Sequence, residues 1–142
     1  MSEIAKDIVR AAVAGDIDVV RLSDFDASAF MSRILGRYGV GAYPWPLWEK
    51  ADFPVAVQDP LAWTWLAEFI GPSPCNLFFS PFTEPAVFCC GSGMDLNRLL
   101  EETLSYEFYV ADTDCTFLFS FNHHDFLAAA GAAADWLAGR RS

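Results

Sequence analysis

The chain has 142 residues, which is enough for one sizeable hydrophobic core, so we predict a single domain over residues 1–142. Hydrophobic residues make up 54% of it, including 13 Phe and 5 Trp, yet no apolar run reaches the roughly 18 residues of a membrane span. The N-terminal stretch MSEIAKDIVRAAVAGDIDVV carries acidic residues throughout and lacks the features of a secretory signal, so we expect a cytoplasmic protein.

The net charge of −10 is unevenly distributed along the chain. Residues 1–50 contain seven acidic and six basic residues, whereas residues 51–139 contain twelve acidic residues and one basic residue, Arg98. A field of this kind repels nucleic acid and anionic membranes and attracts cationic partners. The charge therefore disfavours nucleic-acid and membrane binding and favours a basic protein partner, although acidity also keeps an apolar chain in solution.

Two amphipathic helices are predicted in the first part of the chain. Apolar residues recur at helical spacing within residues 2–14, and Gly15 indicates the end of the first helix. In the segment SDFDASAFMSRILG, Ser23 and Asp26 form a variant of the capping box, and Gly36 indicates the end of the second helix.

The connection over residues 37–54 is rich in glycine, proline and aromatic residues. Its prolines forbid a continuous helix or a central strand, so we expect an ordered but irregular segment with a short edge strand around residues 55–57. Tyr43, Trp45 and Trp48 have two interpretations that stay open at this point. They are either exposed anchors for a protein partner or a cover for the open face of the sheet.

The rest of the chain changes from helical to mixed periodicity. Asp59, Pro60 and Gly71 mark both ends of a third helix. The short runs CNLFFS and AVFCC then read as paired strands before the helix GSGMDLNRLLEETL. YEFYVADTDCTFLFSF contains two more strands, and the alanine-rich segment DFLAAAGAAADWL predicts a closing helix.

The predicted order is three helices followed by β-β-α-β-β-α. Because hairpins join the strands within each pair, we expect the sheet to be mainly antiparallel with four strands. The small face of the closing helix suits close packing on that sheet. The sequence therefore predicts an α+β domain with its helices packed mainly on one face.

The stretch FLFSFNHHDF places two histidines and an aspartate where a predicted strand passes into a helix. If His123 or His124 worked as a general base, it would need an orienting carboxylate, and Asp125 is near in sequence. Alternatively, Asn122 or Asp125 caps the helix while one imidazole packs on the sheet and the other faces water. Adjacent side chains rarely converge on one metal ion, so no metal site is predicted.

Other chemical motifs are weak. The segment Gly91-Ser92-Gly93 lies between a strand and a helix, as phosphate-binding loops do, but it lacks the Rossmann and P-loop spacings. Capping by Ser92 with Asp95 as its reciprocal partner explains it without a ligand. The four cysteines have no CxxC spacing and predict buried free thiols. No GxSxG segment or triad is present, so no cofactor is predicted and an enzyme is not favoured.

Residues 106–137, YEFYVADTDCTFLFSFNHHDFLAAAGAAADWL, resemble the C-terminal part of an uncharacterised family of small bacterial proteins. In that family a strand pair runs into an FNHHD-like corner and a small-residue helix, and the resemblance implies no activity. In size, acidity and aromatic richness, the whole chain is similar to bacterial immunity proteins. Such proteins are small domains that neutralise a cognate, often basic, toxin by occluding its active site.

We therefore expect a small acidic protein-binding module, such as an immunity protein against a cationic toxin, with surface carboxylates that pair with basic residues. The candidate partner-binding residues are Glu101, Glu107, Asp112, Asp114, Tyr43, Trp45 and Trp48. One alternative is a small-molecule-binding protein or enzyme that uses the His123 and His124 corner. It predicts a solvent-open pocket there with a third polar group from another element. A second alternative is a homodimer that buries the aromatic excess.

Overall fold

The computed structural model describes residues 2–39, 41–103 and 106–141. Its helices are α1 (Glu3–Gly15), α2 (Asp24–Tyr38), α3 (Leu47–Lys50), α4 (Leu66–Ile70), α5 (Gly93–Thr103) and α6 (Ala133–Arg141), with a 3₁₀ helix at Ala62–Trp65. Its strands are β1 (Val19–Arg21), β2 (Val55–Gln58), β3 (Cys75–Phe78), β4 (Phe88–Cys90), β5 (Phe108–Ala111), β6 (Phe117–Phe121) and β7 (Phe126–Gly131).

The strands form one seven-stranded sheet in the order β1-β4-β3-β5-β6-β7-β2, and every neighbouring pair is antiparallel. The predicted α+β class is confirmed, but the predicted four-stranded sheet is wrong. The edge strand expected around residues 55–57 is present as β2, which pairs with β7 at one edge. The other two additional strands, β1 and β7, were not predicted.

Strand β7 occupies residues that were predicted to begin the closing helix. Alanine favours helices, and the segment from Phe126 to Gly131 contains three of them. Here the segment pairs on both sides, with Leu127 opposite Phe121 of β6 and opposite Val57 of β2. Two ladders of backbone hydrogen bonds override the local propensity. Helix α6 therefore begins only at Ala133.

Strand β1 lies within the predicted link between the first two helices. It pairs with β4 and places Val19 opposite Cys90 and Arg21 opposite Phe88. With three residues it is too short to show a period-two pattern in the sequence. It forms because β4, which is distant in sequence, provides the backbone hydrogen-bond partners.

Helices cover both faces of the sheet, which corrects the expectation that they pack mainly on one face. Helices α1, α4, α5 and α6 cover the first face, together with the 3₁₀ helix, and pack on strand residues such as Leu77 and Phe119. Helices α2 and α3 cover the second face, where Phe30 packs against Phe78 with ring centroids 5.3 Å apart. Because both faces are covered, the central strands β3, β5 and β6 are buried throughout.

The predicted helix signals are present with shifted boundaries. Ser23 Oγ accepts a hydrogen bond from the Asp26 backbone N–H at 3.1 Å, as the capping box predicts, but α2 continues past Gly36 to Tyr38. The helix expected after Asp59 begins as the 3₁₀ helix before α4 and ends at Gly71. In the described part of the chain, the longest helix has 15 residues, and none is long and apolar enough to cross a membrane.

Candidate functional site

The two histidines lie in the turn of the β6–β7 hairpin and not at a strand-to-helix junction. Asn122 and Phe126 close the turn, because the Asn122 backbone N–H donates to the Phe126 carbonyl at 3.2 Å. The Asn122 side-chain oxygen accepts from the backbone N–H of His124 at 2.9 Å and of Phe126 at 3.2 Å. The prediction that Asn122 or Asp125 caps a helix is therefore wrong. Asn122 stabilises a hairpin turn, and Asp125 takes the left-handed conformation within it.

Glu107 lies directly before β5 and contacts His123 from the neighbouring strand end. The register of the sheet pairs Phe108 with Phe121, so the residue before β5 lies beside the residues after β6. Glu107 Oε2 accepts a hydrogen bond from the His123 backbone N–H at 3.0 Å and also contacts the imidazole Nδ1. Glu107, and not Asp125, is therefore the carboxylate that orients an imidazole in this turn.

The Glu107 carboxylate is held in its ionised form. Partial burial is the largest single influence and raises its pKa. The hydrogen bonds from the backbone and the imidazole of His123, together with the electrostatic interaction with that imidazole, lower the pKa by more in total. The pKa of Glu107 therefore lies below its usual value. The Trp48 indole N–H also lowers this pKa. That N–H is buried and makes no hydrogen bond of regular geometry with the described residues. The side chain of Glu107 is 35% exposed, so the charge remains accessible from outside.

Trp48 packs against both imidazoles. Its ring centroid is 5.9 Å from that of His123 and 6.3 Å from that of His124, and both contacts are edge-to-face. The two imidazole centroids are 3.8 Å apart. Of the two histidines, His123 is the one that contacts a carboxylate, while the His124 carbonyl accepts a hydrogen bond from Gln58 Nε2 at 3.2 Å. Both histidines are nevertheless exposed, so the expectation that one imidazole packs on the sheet while the other faces water is not met.

Two cavities share Tyr106 and Glu107 as a common wall. The histidine cavity has a volume of about 220 Å³ and is lined by Pro60, Tyr106, Glu107, Phe121, Asn122, His123 and Asp125. The Glu107 cavity has a volume of about 240 Å³ and is lined by Pro46, Ser80, Thr83, Tyr106, Glu107 and Tyr109. Both are smaller than the roughly 300–1,000 Å³ of typical small-molecule sites.

Tyr106 and Tyr109 were not predicted as site residues. The Tyr106 hydroxyl donates to Asp7 Oδ2 at 2.5 Å, and this contact raises the pKa of the phenol. Tyr109 is buried, which raises its pKa to about 12. The only sequence signal was the segment YEFY, in which Glu107 lies next to Tyr106 and close to Tyr109, and only the fold shows which cavities these phenols line.

The aromatic residues of the 37–54 connection divide between the two interpretations. Trp45 and Trp48 are partly buried and pack on the second face of the sheet. The Trp45 ring lies 5.7 Å from the Tyr109 ring, and the Trp48 backbone N–H donates to the Tyr109 hydroxyl at 3.3 Å. Tyr43 is 85% exposed. Two of the three candidate anchors therefore cover the sheet, and Tyr43 alone of the three faces solvent fully.

The four acidic candidates lie at three different places in the fold. Glu107 precedes β5 and Asp112 follows it, so they lie at opposite ends of one strand. The Asp112 carboxylate is used within the β5–β6 hairpin, where it accepts from the Thr116 backbone N–H at 2.7 Å. Asp114 is exposed in the same turn, and Glu101 is exposed on α5. The structure thus places Glu107 in a pocket and gives Asp112 a structural role.

The GSG segment caps a helix. Ser92 Oγ donates to Asp95 Oδ2 at 2.7 Å and accepts from the Asp95 backbone N–H at 3.1 Å. Ser92 therefore caps α5 with Asp95 as its partner, although the returning bond comes from the Ser92 hydroxyl and not, as in the regular capping box, from the backbone N–H of the N-cap residue.

The thiols are mostly buried. Cys75, Cys90 and Cys115 are buried and Cys89 is partly buried. A hydrogen bond with Cys75 and burial raise the pKa of Cys90 well above its ordinary value. Among residues 2–39, 41–103 and 106–141, no group of three or more His, Cys, Asp or Glu side chains is placed to hold a metal ion.

Comparisons with known proteins identified no protein-family model, curated protein or solved structure that matches this chain. The function is therefore inferred from the geometry of the turn, the two cavities and the charged surface.

Proposed function

We propose that this protein is a small cytoplasmic protein-binding module of the immunity type, which neutralises a cationic partner by covering its active surface. The surface carboxylates would attract lysine and arginine side chains of the partner and accelerate the encounter. Contacts at the two cavities and at exposed aromatic residues such as Tyr43 would then hold the complex.

The observation that carries this proposal is the display of the acidic residues. All twelve acidic residues of the segment 51–139 lie in the described part of the chain, and Glu84 alone among them is buried. Within the same part of the chain, Glu68 and Glu107 are the members of this set that form ion pairs. The anionic surface is therefore largely uncompensated by the chain's own basic residues, which supports attraction to a basic partner.

The test uses the product of the gene adjacent to the one that encodes this chain. We expect that product to arrest bacterial growth and co-expression of this chain to restore it through a stable complex. The association rate should fall by about tenfold or more between low and physiological ionic strength. Failure to bind or neutralise the neighbouring product would contradict the proposal, and an association rate indifferent to salt would remove its electrostatic part.

A second candidate function is acid–base chemistry in the histidine cavity. It is favoured by one specific observation, the contact between Glu107 Oε2 and Nδ1 of His123. A carboxylate in this position orients an imidazole and leaves Nε2 for proton transfer. A panel of small ester, amide and phosphate substrates, measured with the wild type and His123→Gln, tests it. Turnover lost in the variant would favour this function, whereas equal rates in both proteins would exclude it for those substrates.

A further inference from the structure

We propose that the Glu107 cavity is a receptor for an arginine side chain presented by a protein partner. This inference deepens the proposed function and rests on it for the nature of the partner. It concerns one cavity, lined by Pro46, Ser80, Thr83, Tyr106, Glu107 and Tyr109.

The charge of the cavity favours a cation. Glu107 supplies a carboxylate, and none of the six lining residues is basic. His123 lines the neighbouring histidine cavity and contacts Glu107 from that side, where both of its hydrogen bonds fall on Oε2. These bonds fix the position of the carboxylate without placing a basic group in the Glu107 cavity. An anionic ligand would be repelled by Glu107, whereas a cation would be attracted.

The remaining lining groups suit a guanidinium in particular. A guanidinium presents five N–H donors in a planar fork and no acceptor. The cavity offers the carboxylate together with the hydroxyl-bearing residues Ser80, Thr83 and Tyr106, whereas the buried Tyr109 hydroxyl is already occupied by the Trp48 backbone N–H. The partly buried ring of Tyr106 adds aromatic surface on which a guanidinium can stack. A lysine ammonium would use fewer of these acceptors, because it is a compact point charge.

The cavity walls are held in place before a ligand arrives. The Tyr109 hydroxyl accepts the Trp48 backbone N–H at 3.3 Å, and the Tyr106 hydroxyl donates to Asp7 at 2.5 Å. A preformed site of this kind loses little conformational entropy on binding. Its volume of about 240 Å³ is below the usual range for small-molecule ligands and suits the end of one side chain.

The test titrates the protein with N-acetyl-arginine N-methylamide and follows assigned backbone and indole N–H resonances by NMR. We expect shifts at Thr83, Tyr106 and the Trp48 indole N–H, with saturation in the millimolar range. The citrulline analogue, which has the same shape and no charge, should produce no saturable shift. In Glu107→Gln the affinity should fall by about tenfold or more, as expected for loss of a charge-assisted pair. In Asp114→Asn, a matched loss of one exposed carboxylate, it should be unchanged.

Thr83→Leu provides a second variant that keeps Glu107 and fills part of the cavity from an exposed position. It should weaken arginine binding while the NMR spectrum remains that of the folded protein. Equal binding of arginine and citrulline analogues, or unchanged binding in both variants, would overturn the inference.

Different experimental results would refute the proposed function and the proposed arginine site. If the arginine analogue binds but the neighbouring gene product is not neutralised, the proposed function is wrong and the site stands. If neutralisation is intact in Glu107→Gln and Thr83→Leu, the module is confirmed and this cavity is not its receptor.

Discussion

Glu107 and His123 are joined through a single carboxylate oxygen, since Oε2 receives both the backbone N–H and the imidazole Nδ1 of His123. The residues are 16 positions apart and meet because the β5–β6 hairpin brings the start of one strand beside the end of the next. The backbone bond does not depend on the protonation of the imidazole. This backbone bond holds the Glu107 carboxylate at the wall that the two cavities share.

Replacing His123 should raise the pKa of Glu107. In His123→Ala the backbone N–H remains, but the imidazole hydrogen bond and charge that lower the pKa are lost, while partial burial still raises it. Carbon-13 NMR titration of the Glu107 carboxyl would show the shift. His124→Ala is the matched control and should leave the Glu107 pKa close to that of the wild type. A Glu107 pKa unchanged in His123→Ala would contradict the assignment of this pair.

The same pair predicts how stability depends on pH. The folded pKa of Glu107 is below its unfolded value, so the unfolded state binds more protons in this range. Its stabilising contribution is present above the unfolded pKa and is lost as the pH falls through the folded pKa. The free energy of unfolding, measured by urea titration on acidification, should therefore fall less steeply in Glu107→Gln than in the wild type. An equal or steeper fall in the variant would contradict this sign.

Asp112 and Asp114 should differ in their effect on stability although both lie in one turn. Asp112 Oδ1 accepts from the backbone N–H groups of Thr116 at 2.7 Å and Phe117 at 3.2 Å, whereas Asp114 is exposed. We expect Asp112→Ala to lower the free energy of unfolding by about 1–3 kcal/mol, because it removes the hydrogen bonds that the turn donates to a charged carboxylate. Asp114→Ala should change it by less than about 0.5 kcal/mol. Urea unfolding measures both, and equal losses would show that the turn does not depend on Asp112.

Replacing two glycines by alanine should change the free energy of unfolding in opposite directions. A Cβ at Gly131 would clash with the Thr116 carbonyl and lie 2.8 Å from the Tyr38 hydroxyl, and Gly131 has φ of +68°. Gly131→Ala should therefore lower the free energy of unfolding by at least about 1–3 kcal/mol. At Gly36, inside α2, a Cβ would meet nothing within 4 Å, so Gly36→Ala should stabilise the protein by about 0.5–1 kcal/mol. Thermal unfolding distinguishes the two, and stabilisation by Gly131→Ala would contradict the close approach of β7 to Thr116.

Phe119 should be the more costly of two phenylalanines to truncate. It is fully buried and packs against Phe69 and Trp136 with ring centroids 5.6 and 5.9 Å away. Phe119→Ala should cost about 3–5 kcal/mol, because it removes buried apolar surface and leaves a cavity. Phe82, which is 87% exposed, provides the matched control, and Phe82→Ala should have almost no effect on the free energy of unfolding. Similar urea midpoints for the two variants would contradict the position of Phe119 at the centre of the first face.

Features that depend on neighbouring residues were predictable from the sequence. The capping of α2 by Ser23, the reciprocal pair of Ser92 and Asp95, and the hairpin between β5 and β6 are all present. The two caps join residues three positions apart, and the hairpin joins strands that follow each other directly in the chain, so these signals are present before any distant contact forms.

Features that depend on pairing between distant segments were decided only by the tertiary structure. Strand β7 has helix-forming composition and became a strand because β6 and β2 satisfy its backbone on both sides. The contact of Glu107 with His123 follows from strand register, which no local pattern reports. The amino-acid sequence alone thus determined the local elements and the excess of negative charge. The fold decided which carboxylate became the wall of a pocket, because burial and partners are properties of packed surfaces and not of single segments.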